Sequence, residues 1–352
     1  MSQLQEATER HRFDADRLAG YLAGNLRGFA GPLTVKQFQG GQSNPTYLLI
    51  TPARRYVMRS KPGPVAKLLP SAHAIEREFR VMRALASQGV PVPEVLLLCE
   101  DESVIGRAFF LMEHVDGRIF WEQSLPGLAP AGRGAVYDEM NRVMAALHSV
   151  DVERAGLADY GKAGNYFARQ IGRWSKQYRA SETEPIEAMD RLIDWLPTHV
   201  PPGDETTVVH GDFRLDNLIF HPTEARVLAV IDWELSTLGH PLADFSYLCM
   251  SWHIPPGAFR GIAGLDLAAL GIPSEAEFIR RYCERTGRAG IEHWNFYLAY
   301  NLFRIAAILQ GVYKRALEGM ASADNAMAAG ANAKALAEIG WGYARKADDR
   351  PV

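Results

Sequence analysis

The stretch from Val208 to Phe220 reads V-V-H-G-D-F-R-L-D-N-L-I-F. It places a carboxylate, Asp212, and an amide, Asn217, in a polar loop at D-x-x-x-x-N spacing, with apolar runs on either side. A second apolar run, Val227 to Ile231, ends in Asp232-Trp233-Glu234. These residue types suit phosphoryl transfer from a magnesium nucleotide. That chemistry needs a carboxylate to accept the proton of the attacking hydroxyl, and an amide oxygen with a second carboxylate to hold the metal that bridges the phosphates. Asp212 is the candidate base, and Asn217 and Asp232 are the candidate metal ligands. Magnesium takes hard oxygen donors and only one or two carboxylates alongside phosphate oxygens. Arg214, two residues after Asp212, is a candidate for neutralising charge on the transferring group. An arginine facing outward from a turn is the alternative there. Asp and Asn are ordinary turn residues, so the combination carries this reading rather than any one member.

The elements that position these residues follow from periodicity. Asp14 caps an expected helix with Leu18, Tyr21, Leu22 and Leu26 at helical spacing, ending near Gly28 to Pro32. Strands are expected over Leu33 to Gln39, Thr46 to Thr51 and Arg55 to Ser60. Gly40-Gly41-Gln42-Ser43-Asn44-Pro45 joins the first two, either as a plain hairpin or as a flap whose N–H groups, with Ser43 and Asn44, cover phosphates. Val57, Arg59 and Lys61 share one face of the third strand, because side chains repeat every two residues. Either cation is placed to meet phosphate. A helix is expected over Ser71 to Gln88, with Glu76 and Glu78 near its start, and two more strands over Glu94 to Cys99 and Arg107 to Val115. Five strands and one helix, with the leading helix, define an N-terminal part to residue 115. Residues 116–352 are expected to be mostly helical, with helices over Ala135 to Val150, Asn165 to Ala180, Ser274 to Thr286, His293 to Glu318 and Ala321 to Ala344. Asp244, at the start of another helix after Pro241, is expected to cap that helix or brace the catalytic loop.

Composition narrows the partners. The chain has 352 residues, 47% hydrophobic and 22% charged, an ordinary globular mix. A net charge of -3 gives no reason to expect nucleic acid or an anionic membrane surface, and no apolar run approaches a membrane span. Cys99, Cys249 and Cys283 lack C-x-x-C spacing, against a disulfide framework or zinc site and in keeping with a reducing cytoplasm. Oligomeric state leaves no mark in the sequence.

H-G-D-x-x-x-x-N followed by I-D resembles the aminoglycoside phosphotransferase and choline kinase branch of the kinase-like fold. It is close to the protein-kinase pair H-R-D-L-x-x-x-N and D-F-G, with Gly211 for Arg and Trp233-Glu234 for Phe-Gly. G-G-Q-S-N-P-T-Y, Y-V-M-R, R-Q-I-G-R-W-S-K-Q-Y and N-L-F-R-I-A-A-I-L-Q-G-V-Y resemble more narrowly the kinase-like domain fused to some acyl-CoA dehydrogenases. The resemblance spans nearly the whole chain. It implies an α+β, protein-kinase-like two-lobe fold, with a small antiparallel sheet plus one helix and a larger helical C-terminal lobe. It implies ATP and Mg2+ as cofactors. It places Arg59 where kinases carry the phosphate-binding Lys, pairs it with Glu78, the second Glu of E-R-E, and seats adenine on the carbonyl of Glu113 and the N–H of Val115. Arg for Lys is a departure from the family pattern. The resemblance further implies a small-molecule hydroxyl acceptor, with hydroxyacyl-CoA as the acceptor linked to this subfamily. Nothing supports flavin chemistry. From Leu235 to Met320 seven acids face eight bases, which gives no support to a polycation site. Rival readings are a kinase of an amino alcohol, sugar or aminoglycoside, and a non-catalytic pseudokinase, although Asp212, Asn217 and Asp232 are all present. Arg169, Arg173, Lys176 and Arg179 form a basic helix face, read as solvated or as an anion site, and Arg304 and Tyr313, in an otherwise apolar helix, read either as a pocket lining or as paired groups within the helical core.

Overall fold

The structure, a computed structural model, describes residues 4–39, 44–62, 74–319, 330 and 332–346. The chain runs β1 (Leu4–Gln5), α1 (Ala15–Asn25), β2 (Thr34–Phe38), β3 (Thr46–Ile50), β4 (Arg55–Ser60), α2 (Ile75–Leu85), β5 (Val95–Cys99) and β6 (Phe109–Glu113). It continues through α3 (Pro130–His148), α4 (Tyr166–Ser181), α5 (Glu187–Trp195), β7 (Thr207–Val209), β8 (Leu218–Phe220), β9 (Val227–Val230) and β10 (Thr237–Gly239). Further helices are α6 (Pro241–Cys249), α7 (Leu267–Leu270), α8 (Glu275–Thr286), α9 (Trp294–Leu317) and α10 (Ala333–Ala344). Two compact units result. One takes Met1–Ile119, Ala155–Leu157 and Asn217–Ser236, and the other takes Phe120–Arg154, Ala158–Asp216 and Thr237–Val352. Asn217–Ser236, which lies beyond residue 115, therefore groups with the N-terminal unit.

In the first unit a sheet of order β1-β2-β3-β4-β6-β5 pairs antiparallel throughout. The expectation was five strands. The sixth, β1, is only two residues long, too short for alternation to mark it. Alternate residues face one way, so Tyr47 and Leu49, Met58 and Tyr56, and Phe109 and Leu111 share a core with Leu18 and Leu22 of α1. Asp14 caps α1 as expected, its carboxylate accepting the Arg17 N–H at 2.9 Å. Residues 71–73 of the expected second helix lie outside the described residues, as does the Gly40 to Ser43 part of the hairpin. The β8–β9 hairpin pairs Leu218 with Val230. It is tied in by Val230 N–H to the Pro91 carbonyl and by a two-way bridge of Arg118 and Phe220, all at 2.9 Å. Gly117 permits that bridge, since a Cβ there would lie 2.4 Å from the Phe220 carbonyl oxygen.

In the second unit α9 is buried along most of its length and packs on α4, α6 and α10. The apolar run before Asp212 does not form a hairpin with the run after it. β7 pairs with β10 and β8 pairs with β9. α3 starts earlier than expected, at Pro130, whose fixed φ and missing N–H suit a first helical position. α5 had no assigned counterpart in the sequence reading; it is a nine-residue helix set between Pro185 and Pro197. The part of the expected last helix from Ala321 to 329 lies outside the described residues. No helix among the described residues is long and apolar enough to cross a membrane, and the three cysteines are free and buried.

These contacts set opposite expectations for two glycines. Gly117→Ala should cost about 1–3 kcal/mol by overpacking against backbone. Gly20→Ala, inside α1 with open space around it, should gain about 0.5–1 kcal/mol. Urea unfolding of both variants checks the pair.

Candidate active site

Within the first unit the site is organised by Arg59 on β4. Its Nε lies 3.2 Å from Glu78 Oε2, Nη1 3.1 Å from Asp232 Oδ1 and Nη2 3.3 Å from Glu234 Oε2. Glu78 sits in the first turn of α2, 2% exposed, and its other oxygen accepts a hydrogen bond from Asn44 Nδ2 at 3.0 Å. Lys61, on the same face of β4, pairs instead with Glu76. Both glutamates of E-R-E are thus engaged, one per cation. Burial pushes the Glu78 carboxyl up to about 7, with the Asp232 and Glu234 charges adding to it and Arg59 opposing. For Arg59 burial disfavours the charge, but Glu78, Asp232 and Glu234 together outweigh it and keep the guanidinium protonated.

Asp232 follows β9 in the left-handed backbone region, φ 68° and ψ 58°. Asp is one of the few residues besides Gly that tolerates this, at about 1–3 kcal/mol of local strain. The Ile231 N–H donates to the Asn217 carbonyl at 2.9 Å, so Asn217 and Asp232 stand at the same end of the β8–β9 hairpin. An amide oxygen and carboxylates are the hard donors that magnesium prefers, so the residues present fit that ion. Glu113 closes β6 opposite Tyr56, and its Oε1 accepts the Glu94 N–H at 3.0 Å. Val115 follows in irregular, half-buried backbone. Ser43 lies outside the described residues.

Within the second unit Asp244 holds the loop before Asp212. Its two oxygens accept the backbone N–H of Gly211 at 2.8 Å and of His210 at 2.5 Å, which is the bracing role expected for it. Burial opposes the Asp244 charge, but His148, His210 and the Gly211 N–H outweigh burial and hold its carboxyl below the usual range. Gly211 has φ +82°, a conformation glycine adopts without Cβ strain. That accounts for Gly where protein kinases carry Arg. Asp212 Oδ1 accepts the Tyr247 hydroxyl at 2.7 Å, and Oδ2 lies 3.1 Å from Arg214 Nε. Arg214 therefore turns toward the acid rather than outward. Asp216, 6% exposed, takes Arg260 through both oxygens, at 3.2 and 2.8 Å. A pocket here is lined by Phe213, Tyr247, Met250, Phe259, Arg214 and Arg260 among others, with no carboxylate in its wall. The α4 face is partly neutralised, since Arg179 pairs with Asp190 and Glu182.

Several contributors escaped the sequence reading. Tyr247 lies three residues after Asp244 on α6, on the same helical face, and that spacing was a usable signal. Glu234 was quoted in its motif but had been given no role. Arg260 comes from an irregular loop with φ 50° and has no sequence signal.

The sequence profile of the phosphotransferase enzyme family matches residues 34–294, and the chain belongs to that family. Its architecture, an N-terminal antiparallel sheet and a mostly helical C-terminal part, is the kinase-like fold of aminoglycoside phosphotransferases. It is 53% identical over 334 residues to acyl-CoA dehydrogenase family member 10 of Mus musculus, covering 94% of this chain and 31% of that protein. It is 44% identical over 345 residues to acyl-CoA dehydrogenase family member 11 of Homo sapiens, covering 96% of this chain and 44% of that protein. The chain thus spans less than half the length of these relatives. A crystal structure from Ralstonia eutropha JMP134, whose name assigns it to the aminoglycoside phosphotransferases, is 62% identical with a TM-score of 0.89, over 96% of this chain and all of that one. Aminoglycoside phosphotransferase APH(4)-Ia, in ternary complex with AMP-PNP and hygromycin B, shares the fold at 18% identity and a TM-score of 0.61, over 93% and 98% of the two chains.

Two expectations follow. Asp244→Ala strands two buried N–H groups and should cost about 1–3 kcal/mol for each, read by thermal unfolding. The native state keeps the Glu78 proton to higher pH than the unfolded chain. Its stabilising contribution is therefore complete below about 4.5 and is lost as pH rises through about 7. Unfolding of wild type and Glu78→Gln at pH 5 and pH 8 should show wild type losing ground to the variant at the higher pH.

Proposed function

We propose that this phosphotransferase moves the γ-phosphoryl of Mg-ATP to a hydroxyl of a small molecule, with a hydroxyacyl-CoA as the acceptor. The observation that carries the nucleotide part is Arg59 set among Glu78, Asp232 and Glu234. Arg59, oriented by Glu78, binds the phosphates that are not transferred, and Asn44 orients Glu78 in turn. Asn217 and Asp232 would hold magnesium, which would supply positive charge to offset that of the phosphates. Ser43 covers the phosphates, and Glu113 and Val115 seat the base through backbone groups. Asp212, fixed by Tyr247, orients the acceptor hydroxyl and takes its proton. Arg214 offsets charge on the transferring group.

The acceptor reading rests on the pocket beside Asp212. Its wall of Phe213, Met250 and Phe259 with Arg214 and Arg260 suits an apolar, anionic molecule over a polycation. The relatives named as acyl-CoA dehydrogenase family members favour an acyl-CoA.

The test is incubation with Mg-ATP and a panel of hydroxyacyl-CoAs, amino alcohols and aminoglycosides, with product read by mass. Product from a hydroxyacyl-CoA is expected, reduced by about 10²–10⁴-fold in Asp212→Asn. Product only from another member would overturn the acceptor. ATP binding with no product from any member would favour a pseudokinase. In the same assay Arg59→Met should raise KM for ATP. It should also destabilise the protein by about 3–5 kcal/mol, because Glu78 is left buried without its partner.

A further inference from the structure

Arg304 is a cation in the middle of α9, 7% exposed, on a helix whose buried residues are mostly apolar. A guanidinium carries five N–H donors. Arg304 makes one hydrogen bond, from Nη2 to the Gly211 carbonyl at 2.5 Å, and no ion pair among the described residues. Its surroundings are aromatic, with the guanidinium 5.1 Å over the Tyr247 ring and 5.8 Å over the Trp174 ring. Two further buried donors lie nearby: Trp174 Nε1, which finds no hydrogen-bond partner among the described residues, and the Tyr300 hydroxyl, which faces that of Tyr166. Tyr300 stands one turn before Arg304 on the same face of α9, and Trp174 comes from α4, which packs along α9.

Asp212 is the carboxylate whose charge acts on Arg304, without a direct ion pair between them, and a buried charge without a close partner is costly. Donors in excess around a positive charge, with the Gly211 carbonyl as its one hydrogen-bond acceptor among the described residues and tyrosine hydroxyls around it, are the chemistry that recognises an oxyanion, and the planar fork of arginine matches carboxylate and phosphate. The carbonyl that Arg304 grips belongs to the residue before Asp212. An anion held there therefore lies within a small molecule's reach of the candidate base.

We propose that Arg304, with the Trp174 and Tyr300 donors beside it, binds an oxyanion carried by the hydroxyl acceptor, a carboxylate or a phosphate. This rests on Asp212 as the base. The acceptor is then an anionic hydroxy compound, and Arg304 selects against neutral and cationic ones. A clamp that only held the Gly211 carbonyl would need no further ligand and would be indifferent to added anions.

Sodium sulfate, standing for phosphate, and sodium acetate, standing for carboxylate, are titrated into the full chain at fixed ionic strength, with and without Mg-AMP-PNP. The thermal midpoint is followed. A saturable rise with one of the two anions is expected, and the anion that gives it identifies the group. The rise should vanish in Arg304→Gln, weaken at least about tenfold in Arg304→Lys, whose point charge lacks the fork, and persist in Arg280→Gln on the exposed surface. If Arg304→Gln does not fold, Tyr300→Phe and Trp174→Phe, each removing one donor, should weaken the response. No response to either anion in wild type, or equal responses with and without Arg304, overturns the site. The Mg-AMP-PNP arm is read separately. If that nucleotide fails to shift the midpoint while the anion response still depends on Arg304, the anion site stands and the kinase reading falls.

Discussion

One guanidinium bears three carboxylates. Arg59 contacts Glu78 from α2, Asp232 from the end of β9, and Glu234 just beyond it. A strand, a helix and a hairpin of the first unit are thereby joined at a single cation. Lysine, a compact point charge, would not span three partners with this geometry, whereas the planar fork of arginine does. The departure from the kinase pattern at this position is thus coupled to the acids around it. Burial pushes up the carboxyl of Glu78, the most deeply buried member, and the excess of negative charge in the cluster adds to it. Such an arrangement suits a site built to receive further positive charge.

The second unit solves a different problem. The loop that carries Asp212, the candidate base, keeps its own backbone satisfied by side chains from elsewhere in the unit. Asp244 takes two backbone N–H groups, Arg304 takes the Gly211 carbonyl, and the Asp212 carboxylate is steadied by Tyr247 and Arg214. Each loop group has a named partner from α6, α9 or the loop itself. Buried hydrogen bonds of this kind are costly to remove because the orphaned partner is left without water.

The surroundings of Asp212 differ in character from those of Arg59. Arg214, Arg260 and Arg304 are the charged groups that crowd Asp212 and Asp216, and the pocket beside them is otherwise largely apolar. A fold shared with aminoglycoside phosphotransferases therefore carries, in this chain, arginines and apolar side chains beside Asp212. Fold and acceptor are separable properties, since the acceptor is read from the side chains that line its pocket.

Much was legible from the chain alone. Apolar alternation marked five strands of the N-terminal sheet, helical spacing marked the long helices, and H-G-D-x-x-x-x-N with I-D-W-E marked the residues around which both clusters form. Those signals are local, because they depend on periodicity and on spacing within one loop. Tertiary structure alone decided the rest. Arg59 meets Glu78 as the resemblance implies, but that Lys61 on the same face turns to Glu76 is selected by register and helix placement, not by sequence distance. β7 pairs with β10 rather than β8. Tyr247, Arg260 and Arg304 come to Asp212 and its loop from far along the chain: spacing from Asp244 hints at Tyr247 and an apolar helix sets off Arg304, but nothing near Arg260 announces it, and no local signal names the loop as the place they meet. A contact between residues remote in sequence is set by packing, and packing leaves no periodic trace in either partner.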